Sequence, residues 1–351
     1  MNRVFAVGAV FLGVACAAGG LAQAAQKGVQ VVADEAHHRV NVTIDGKPFT
    51  SYIWPSLLKK PVLYPLIDED GVTVTRGYPL EVVEGERVDH PHHAGLWFNY
   101  GNVNGFDFWN NSDAMTPAES TKMGTIHQLR VVEAKSGSER GELVTESAWI
   151  AGDGRQILSQ TTHYTFRRQG HARVIDLTAT LTAEERAEFR DDKEGLLGIR
   201  VARWLESPDE KGGVFTDANG NATQVDAAPG GAANPATGEY LTSEGVKGEA
   251  AWATRGRWCA LTGHKGDHTD QITVFDHPGN PGYPTYWHAR GYGLFAANPL
   301  GRSIFDTKQP AFNFTLEKGQ SATFRYRIVI DAKAETAAEL NNEADAFAAE
   351  K

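Results

Sequence analysis

The segment Asp89-His90-Pro91-His92-His93 places a carboxylate and three imidazoles within five residues. In an extended chain, His90 and His92 project to one side and His93 to the other. Pro91 removes a backbone donor, which predicts a sheet edge, a bulge or a strand entry. Imidazole titrates near neutral pH, so His90 and His92 are candidate general acids. The alternative is a polar turn whose histidines bond only to neighbouring backbone.

A second group of polar residues lies in Tyr286-Trp287-His288-Ala289-Arg290. In a strand, His288 and Arg290 share one face, where they need partners or a ligand. His288 is a further candidate general acid, and Arg290 is suited to binding a carboxylate or a pair of hydroxyls. A structural salt bridge is the alternative role for Arg290.

The same histidines are also candidate metal ligands. His90, His92 and His288 could surround a divalent ion that polarises a substrate or activates water, with Asp89 as a ligand or as the partner of one. The sequence contains none of the common phosphate, nucleophile-elbow, His-Glu-x-x-His or Cys-x-x-Cys motifs. The metal site and the metal-free acid–base site therefore stay open as alternatives.

Lys193-Glu194 precedes a strand-like apolar run. Glu194 is a candidate base and Lys193 a candidate charge partner and substrate contact, because two charges in a dry site shift each other's pKa. A solvated charged turn is the alternative. Arg76, in Thr75-Arg76-Gly77, is a weaker candidate ligand of substrate.

Aromatic and amide side chains follow the histidine segment closely. Trp97 and Trp109 offer flat apolar faces, and Asn102 and Asn104 can bond to hydroxyls. This combination suits a ligand with apolar ring faces and polar edges, such as a sugar. The alternative is that the aromatics fill the core and the asparagines form turns.

The elements that must position these residues are mainly strands. Apolar residues alternate with polar ones in 40–44, 175–181 and 324–330, as in antiparallel sheets with one buried face. We predict two large antiparallel sheets packed face to face, followed by a C-terminal helix over about 334–349. Residues 217–248 are rich in Gly, Ala, Asn and Pro and predict a long surface loop.

The N-terminus predicts export. Arg3, an uncharged apolar stretch to Leu21 and the small residues of Ala22-Gln23-Ala24 resemble a signal peptide over 1–24, followed by a single domain over 25–351 in the periplasm or outside the cell. No later segment contains a run of about 20 apolar residues, the length that a membrane-spanning helix needs. The formal charge of −10, with no basic cluster, argues against a nucleic-acid partner.

Several stretches resemble a bacterial family called the PmoA family, or methane oxygenase PmoA. They are Lys60 to Leu66, Val74 to Gly77, Asp89 to Phe98, Val103 to Trp109, Lys193 to Val201, Tyr283 to Arg290 and Tyr292 to Pro299. The resemblance covers nearly all of the mature chain. It implies an acidic residue between Arg290 and Tyr292, where this chain has Gly291. Methane oxidation by a membrane subunit would need spanning helices, which the sequence after residue 24 lacks.

We therefore expect a carbohydrate-active enzyme, or a sugar binder, on a β-sandwich that resembles the galactose mutarotase-like fold. His90, His92 or His288 would be the general acid and Glu194 the base, while Arg290 and Asn104 hold hydroxyls. Epimerisation, elimination and hydrolysis stay open, as does the oligomeric state. The alternatives are a divalent-metal-dependent enzyme that uses the histidines and a non-catalytic periplasmic binding protein.

Overall fold

The structure is a computed structural model that describes residues 27–208, 212–226 and 235–350. Twenty strands and two helices lie in these residues. In chain order they are β1 Val29–Asp34, β2 Arg39–Ile44, β3 Lys47–Ile53, β4 Val62–Leu63, β5 Leu96–Tyr100, α1 Pro117–Ser120, β6 Gly124–Lys135, β7 Arg140–Ala151, β8 Gln156–Gln169, β9 Ala172–Ala183, β10 Ala187–Phe189, β11 Gly195–Arg200, β12 Gly213–Thr216, β13 Ala222–Val225, β14 Glu239–Thr242, β15 Trp258–Lys265, β16 His268–Asp276, β17 Tyr286–Ala289, β18 Leu294–Asn298, β19 Phe314–Leu316, β20 Ser321–Asp331 and α2 Ala337–Ala348.

Two eight-stranded antiparallel sheets form the body of the protein. The first, which we call the site sheet, has the strand order β1-β2-β3-β4-β5-β11-β18-β17. The second, the back sheet, has the order β14-β15-β16-β20-β9-β8-β7-β6. One hydrophobic core takes residues from the inner faces of both sheets. The predicted large antiparallel β-sandwich is confirmed.

The alternating sequence patterns explain why these strands pack as they do. In β2, Val40, Val42 and Ile44 are buried while the residues between them are only partly buried. Strands β9 and β20 pair along their whole length and bury alternate apolar residues in the same way. Because side chains alternate across a strand, each pattern turns one apolar face toward the core.

The predicted C-terminal helix is confirmed, although it begins three residues later than expected. Thr336 accepts a hydrogen bond from the backbone of Glu339, and the Glu339 carboxylate accepts one from the backbone N–H of Thr336. This capping box fixes the helix start. Leu340, Ala344 and Phe347 pack on the outer face of the back sheet. The helix thereby covers the face of that sheet opposite the core.

The prediction of one long surface loop over 217–248 needs correction. Strand β13 pairs with β12, and β14 forms the edge of the back sheet beside β15. Tyr240 is buried there and packs edge to face against Phe295. The short apolar stretch Tyr240-Leu241 is too brief to show a period in a glycine-rich surrounding, so composition alone concealed the strand.

The predicted signal peptide, residues 1–24, lies outside the described residues. Within the described residues, no helix combines the length and the apolar character that crossing a bilayer requires.

Candidate functional site

The outer face of the site sheet carries the candidate residues. Strand pairing lines up one row across β5, β11, β18 and β17, made of Trp97, Gly198, Ala296 and His288. Residues paired directly across a sheet lie on the same face. The neighbouring positions in the chain, Phe98 and Trp287 among them, belong to the core. We call the surface that bears this row the site face.

Two buried arginines fix the segment Asp89–His93. Arg76 donates to the carboxylate of Asp89 at 2.5 Å and to the carbonyl oxygens of His90 and His93 at 3.0 and 2.9 Å. Arg200, on β11, donates to the same carboxylate oxygen of Asp89 at 2.8 Å. The structure thus gives Arg76 a positioning role instead of the predicted contact with substrate, because its terminal nitrogens bond to the segment itself.

The carboxylate of Asp89 is held in its charged form. Burial raises its pKa, but the hydrogen bond from His90 and the charges of Arg200 and Arg76 outweigh burial and hold that pKa well below its ordinary value. Opposite charges at hydrogen-bond distance favour ionisation in this way. Asp89 therefore stays negative throughout the physiological pH range.

Four rings stack along the site face. The rings of Tyr292, His90, His93 and Trp97 follow one another with centroids 5.1, 4.9 and 5.3 Å apart. Trp109 donates from Nε1 to Nε2 of His93 at 3.1 Å. Both indoles are buried, so neither offers an open face to a sugar. They support His93 instead of binding substrate as predicted.

Glycine at position 198 makes this stack possible. A Cβ there would stand 2.5 Å from a ring carbon of Trp97 and 3.0 Å from one of Trp109. Both distances are shorter than ordinary carbon contacts, so the two indoles occupy the space that a side chain would need.

His92 is partly buried and is not among the residues that line the cavity described below. Burial, followed by the positive charge of Lys60, lowers its pKa to about 2, so the imidazole is neutral. Lys60 itself donates to the carbonyl oxygen of His92 at 2.7 Å. The Nε2 atom of His92 is buried and has no hydrogen-bond partner in the described residues. The part of the chain that the structure describes therefore offers no contact that supports the predicted acid role of His92.

His288, Glu194 and Lys193 meet at the other end of the row. The Nδ1 of His288 lies 3.0 Å from the carbonyl oxygen of Lys193 and 3.7 Å from Oε2 of Glu194. The Lys193 ammonium pairs with the other oxygen of Glu194. Because the carbonyl oxygen can only accept, Nδ1 carries the proton and Nε2 presents a lone pair. No described residue forms a hydrogen bond with Nε2.

Burial governs the protonation of this pair. Burial, then the charges of Lys193 and Arg290, lowers the pKa of His288 to about 3. Burial raises the pKa of Glu194, although the hydrogen bond and charge of Lys193 act in the opposite direction. The imidazole therefore stays neutral across the physiological pH range, with its lone pair at Nε2. The carboxylate of Glu194, on the Nδ1 side, is placed to stabilise positive charge on the ring during a proton transfer.

A cavity of about 440 Å³ opens where β17 and β18 are joined. Its lining residues are Arg87, Asp89, Gly212, Glu249, Trp252, Ala289, Arg290, Gly291 and Tyr292. Arg290 is thus placed as predicted, on the wall of a cavity and two residues from His288. The cavity combines an exposed aromatic ring with charged groups of both signs, as sugar sites do.

Trp252 is an aromatic side chain that lines the cavity, and the sequence analysis did not predict it. Its side chain is exposed, and the guanidinium of Arg290 lies 5.7 Å from the centre of its ring. It follows a short helical turn, Gly248–Ala251, far in sequence from the histidine segment. Its isolated position among alanines and glycines gave no pattern from which a role could be predicted.

A carboxylate lies beside position 291, although that residue is a glycine. A Cβ on Gly291 would stand 2.1 Å from Oε1 of Glu249. The absence of a side chain at position 291 therefore leaves the space that the Glu249 carboxylate occupies on the cavity wall.

Tyr292 links the two ends of the site face. Burial raises its pKa to about 12, with the charges of Glu194 and Asp89 acting in the same direction and those of Arg200 and Arg290 opposing them. The hydroxyl therefore stays protonated and able to donate. His90, stacked on this ring, lies at the cavity edge beside Asp89, at 3.2 Å from its carboxylate. Among the predicted residues, Arg290 lines the cavity, and His90 contacts Tyr292 and Asp89 on its wall. His288, Glu194 and Lys193 form a neighbouring group that is joined to the cavity wall through β17.

Asn102 and Asn104 lie elsewhere. Asn102 accepts a hydrogen bond from the backbone of Gly105, and Asn104 bonds to the backbone of Arg186 and Glu188. Asn104 has a φ of +54°, a conformation that asparagine tolerates in turns. The structure gives both amides the role of turn residues instead of the predicted contacts with substrate.

The predicted metal site at His90, His92 and His288 is not formed. Within the described ranges, these histidines do not belong to any group of ligand atoms close enough to share an ion. His90 stacks on Tyr292, Nε2 of His92 is buried, and Nδ1 of His288 is turned to a backbone carbonyl. The physical reason is that His90 and His92 belong to the segment held by Arg76 before β5, whereas His288 lies on β17, at the far edge of the same sheet.

A comparison with protein families gives one match, which covers residues 39–345 and is described as a family of unknown function, DUF6807. The match includes every strand of both sheets except β1. The chain belongs to the DUF6807 family. The resemblance to the PmoA family stays a prediction. No match is found among curated proteins.

Solved structures with a similar course of the chain include several carbohydrate enzymes. Galactose 1-epimerase from Lactobacillus acidophilus is 9% identical, with 86% of this chain and 97% of that chain covered and a TM-score of 0.39. The Slr1438 protein from Synechocystis is 10% identical over 88% and 97%, with a TM-score of 0.35. The α-galactosidase AgaB from Geobacillus stearothermophilus is 12% identical over 87% and 41%, with a TM-score of 0.37. Likeness at this level carries no argument about function, which must come from the site.

Proposed function

We propose that this DUF6807 protein is an exported carbohydrate-active enzyme that transfers protons on a sugar bound at the site face. One observation carries the proposal. The carbonyl oxygen of Lys193 and the carboxylate of Glu194 both face Nδ1 of His288, at 3.0 and 3.7 Å. This arrangement fixes the tautomer and leaves Nε2 as a base.

The roles proposed for the histidine and for Glu194 differ from those expected from the sequence. The sequence predicted a histidine as the general acid and Glu194 as the base. In the structure, Glu194 lies on the Nδ1 side of His288 and is largely buried, so it supports the imidazole and does not meet the substrate directly. His288 then accepts the proton of a sugar hydroxyl or C–H group at Nε2, and the imidazolium that results returns it later in the reaction.

The cavity supplies the groups that would bind a sugar. Trp252 offers an exposed ring face for stacking, while Arg290 and Glu249 offer a donor and an acceptor for hydroxyls. Tyr292, which stays protonated, adds a hydroxyl donor on the cavity wall. Epimerisation, elimination and glycoside hydrolysis all require a proton transfer of this kind between the sugar and a side chain.

Replacing Trp252 with alanine should weaken sugar binding about tenfold, because stacking on an aromatic ring contributes roughly 1 kcal/mol or more. Calorimetric titration with glucose, galactose, mannose and their uronic acids would measure the change. Trp54 is the matched control, since it is partly buried and stacks on His38 with centroids 6.0 Å apart.

The Trp54→Ala variant should bind with unchanged affinity. Equal affinities for wild type and Trp252→Ala, with any sugar that binds, would show that the cavity is not the binding site. Binding that responds to Trp252→Ala but is never followed by turnover would favour the non-catalytic binding protein instead.

A further inference from the structure

A second polar cluster lies at the start of β16, where none of the proposed chemistry takes place. Carboxylate oxygens of Asp68 and Asp70 and a ring nitrogen of His268 all lie within 4.8 Å of one another. Asp270, two residues further along β16, approaches the same imidazole, with its Oδ2 3.1 Å from Nε2 of His268. Oδ2 of Asp68 lies 2.9 Å from that nitrogen.

Each of the two buried carboxylates has only one oxygen that the protein satisfies. The side chains of Asp68 and Asp270 are 0% exposed. Oδ1 of Asp68 accepts a hydrogen bond from the backbone N–H of Val72, and Oδ2 of Asp270 bonds to His268. Oδ2 of Asp68, although it faces the imidazole, has no hydrogen-bond partner in the described residues, and neither does Oδ1 of Asp270. A buried carboxylate oxygen without a hydrogen bond is costly, because it has lost its hydration.

A nearby positively charged side chain does not donate a hydrogen bond to the free oxygen of Asp68. Arg173 is close enough for its charge to interact with Asp68, but its Nη1 donates to the carbonyl oxygens of Pro48 and Ile67 at 2.5 and 3.0 Å. A single imidazole N–H can point well at only one acceptor, and His268 forms its hydrogen bond with Asp270. The oxygen of Asp68 that is aimed into the cluster is left for another cation.

We propose that Asp68, Asp70 and His268 bind a divalent transition metal such as Zn²⁺, with Asp270 completing the ligand set. One imidazole and several carboxylates form a donor set that zinc accepts, whereas Ca²⁺ and Mg²⁺ prefer oxygen alone. The spacing of 2.9 Å between an oxygen and a nitrogen suits neighbouring ligands of one ion, each about 2 Å from it. Asp70, with 59% of its side chain exposed, gives an entry path from solvent.

Such an ion would join two parts of the fold. Asp68 begins the turn that ends at Val72, between the site sheet and the strand segment that leads to Arg76. His268 and Asp270 belong to the back sheet. Binding would therefore tie this turn to the opposite sheet and stabilise the folded state, because the site does not exist in the unfolded chain. The inference does not depend on the proposed function.

The test is a calorimetric titration of the full, EDTA-treated and dialysed protein with Zn²⁺, followed by thermal unfolding with and without the ion. We expect one saturable equivalent and a rise in Tm on the order of 5 °C at excess zinc. Asp70→Asn, a change at an exposed side chain that leaves the fold intact, should weaken zinc binding at least about tenfold. Asp68→Asn should abolish the rise in Tm.

Asp34→Asn is the matched control. Asp34 also contacts an imidazole, that of His37 at 2.8 Å, but both side chains are well exposed. This variant should bind zinc as the wild type does. The proposal is overturned if the wild type shows no saturable zinc binding, or if Asp70→Asn binds zinc as tightly as the wild type. Stronger binding of Ca²⁺ than of Zn²⁺ would overturn the assignment to a transition metal.

Discussion

Replacing His288 with glutamine is expected to lower turnover by about 10²- to 10⁴-fold, the usual contribution of a general base. Glutamine can still donate to the carbonyl oxygen of Lys193, the partner of Nδ1 at 3.0 Å, but it has no basic nitrogen. The assay is proton NMR of sugars and glycosides in D₂O. It follows anomer exchange, loss of C–H signals and glycoside cleavage in one experiment, and so covers the reactions that the site leaves open.

The exposed His163, on β8 of the back sheet, provides the control. His163→Gln should turn over as the wild type does. The turnover of Glu194→Gln should lie between that of His288→Gln and that of the wild type, because the carboxylate stabilises the imidazolium without receiving the proton itself. Full activity in His288→Gln, with an unchanged Tm, would remove His288 from the mechanism.

The same variant has a pH signature in stability. In the unfolded chain His288 takes up a proton near pH 6.5, whereas burial and the charges of Lys193 and Arg290 lower its folded pKa to about 3. Its contribution is thus complete above pH 6.5 and is lost as the pH falls through that value. Below pH 6.5, the wild type should lose stability relative to His288→Gln by about 1.4 kcal/mol per pH unit.

Replacing Arg76 with methionine is expected to destabilise the fold by about 3–5 kcal/mol. Methionine fills much of the space but removes the donors to Asp89 and to the carbonyl oxygens of His90 and His93. Arg200 alone would then hold Asp89, and the backbone of the segment would be left with unpaired acceptors. Denaturant unfolding monitored by tryptophan fluorescence would measure the loss, because Trp97 and Trp109 pack beside this segment.

The comparison for this change is another arginine–carboxylate pair. Arg130 bonds to Glu146 through two nitrogens at 2.7 and 2.8 Å, but it is two-thirds exposed. Arg130→Met should cost less than about 1 kcal/mol. A similar small effect for Arg76→Met would contradict the view that Arg76 positions the histidine segment.

The parts of the fold that could be predicted were those encoded in local alternation. Strands such as β2, β9 and β20 show their buried faces in the order of the residues, so two antiparallel sheets follow from the sequence. Strand β14 has only four residues and lies in a glycine-rich stretch, where composition suggested a loop. A strand of that length is defined by its partner, β15, which the local sequence does not reveal.

The site was predictable as a set of segments but only partly as a set of roles. Histidine, arginine and glutamate were expected at His288, Arg290 and Glu194, and these residues do come together. Trp97 and Trp109 were expected to bind sugar, but they are buried, because the glycine at position 198 on the neighbouring strand makes room for them. Contacts across strands decide which aromatic faces stay open, and they cannot be read from one segment.

Trp252 and Glu249 line the cavity although the sequence did not predict a role for either. Both reach the cavity from a short turn about forty residues before Arg290, and neither belongs to a motif. Gly291 could have given a hint, since a glycine where an acidic residue is implied leaves room for one from elsewhere. The folded structure shows that the Glu249 carboxylate occupies the space beside Gly291.

The proposed roles of His288 and of the cavity can be tested together in a crystal structure of the His288→Gln variant soaked with the tightest-binding sugar from the calorimetric panel. We expect a sugar ring against Trp252, a hydroxyl or carboxylate bonded to Arg290, and a reacting hydroxyl or carbon within about 3.5 Å of the side-chain end of residue 288. A sugar bound away from this cavity, or one whose every atom lies far from residue 288, would contradict these roles.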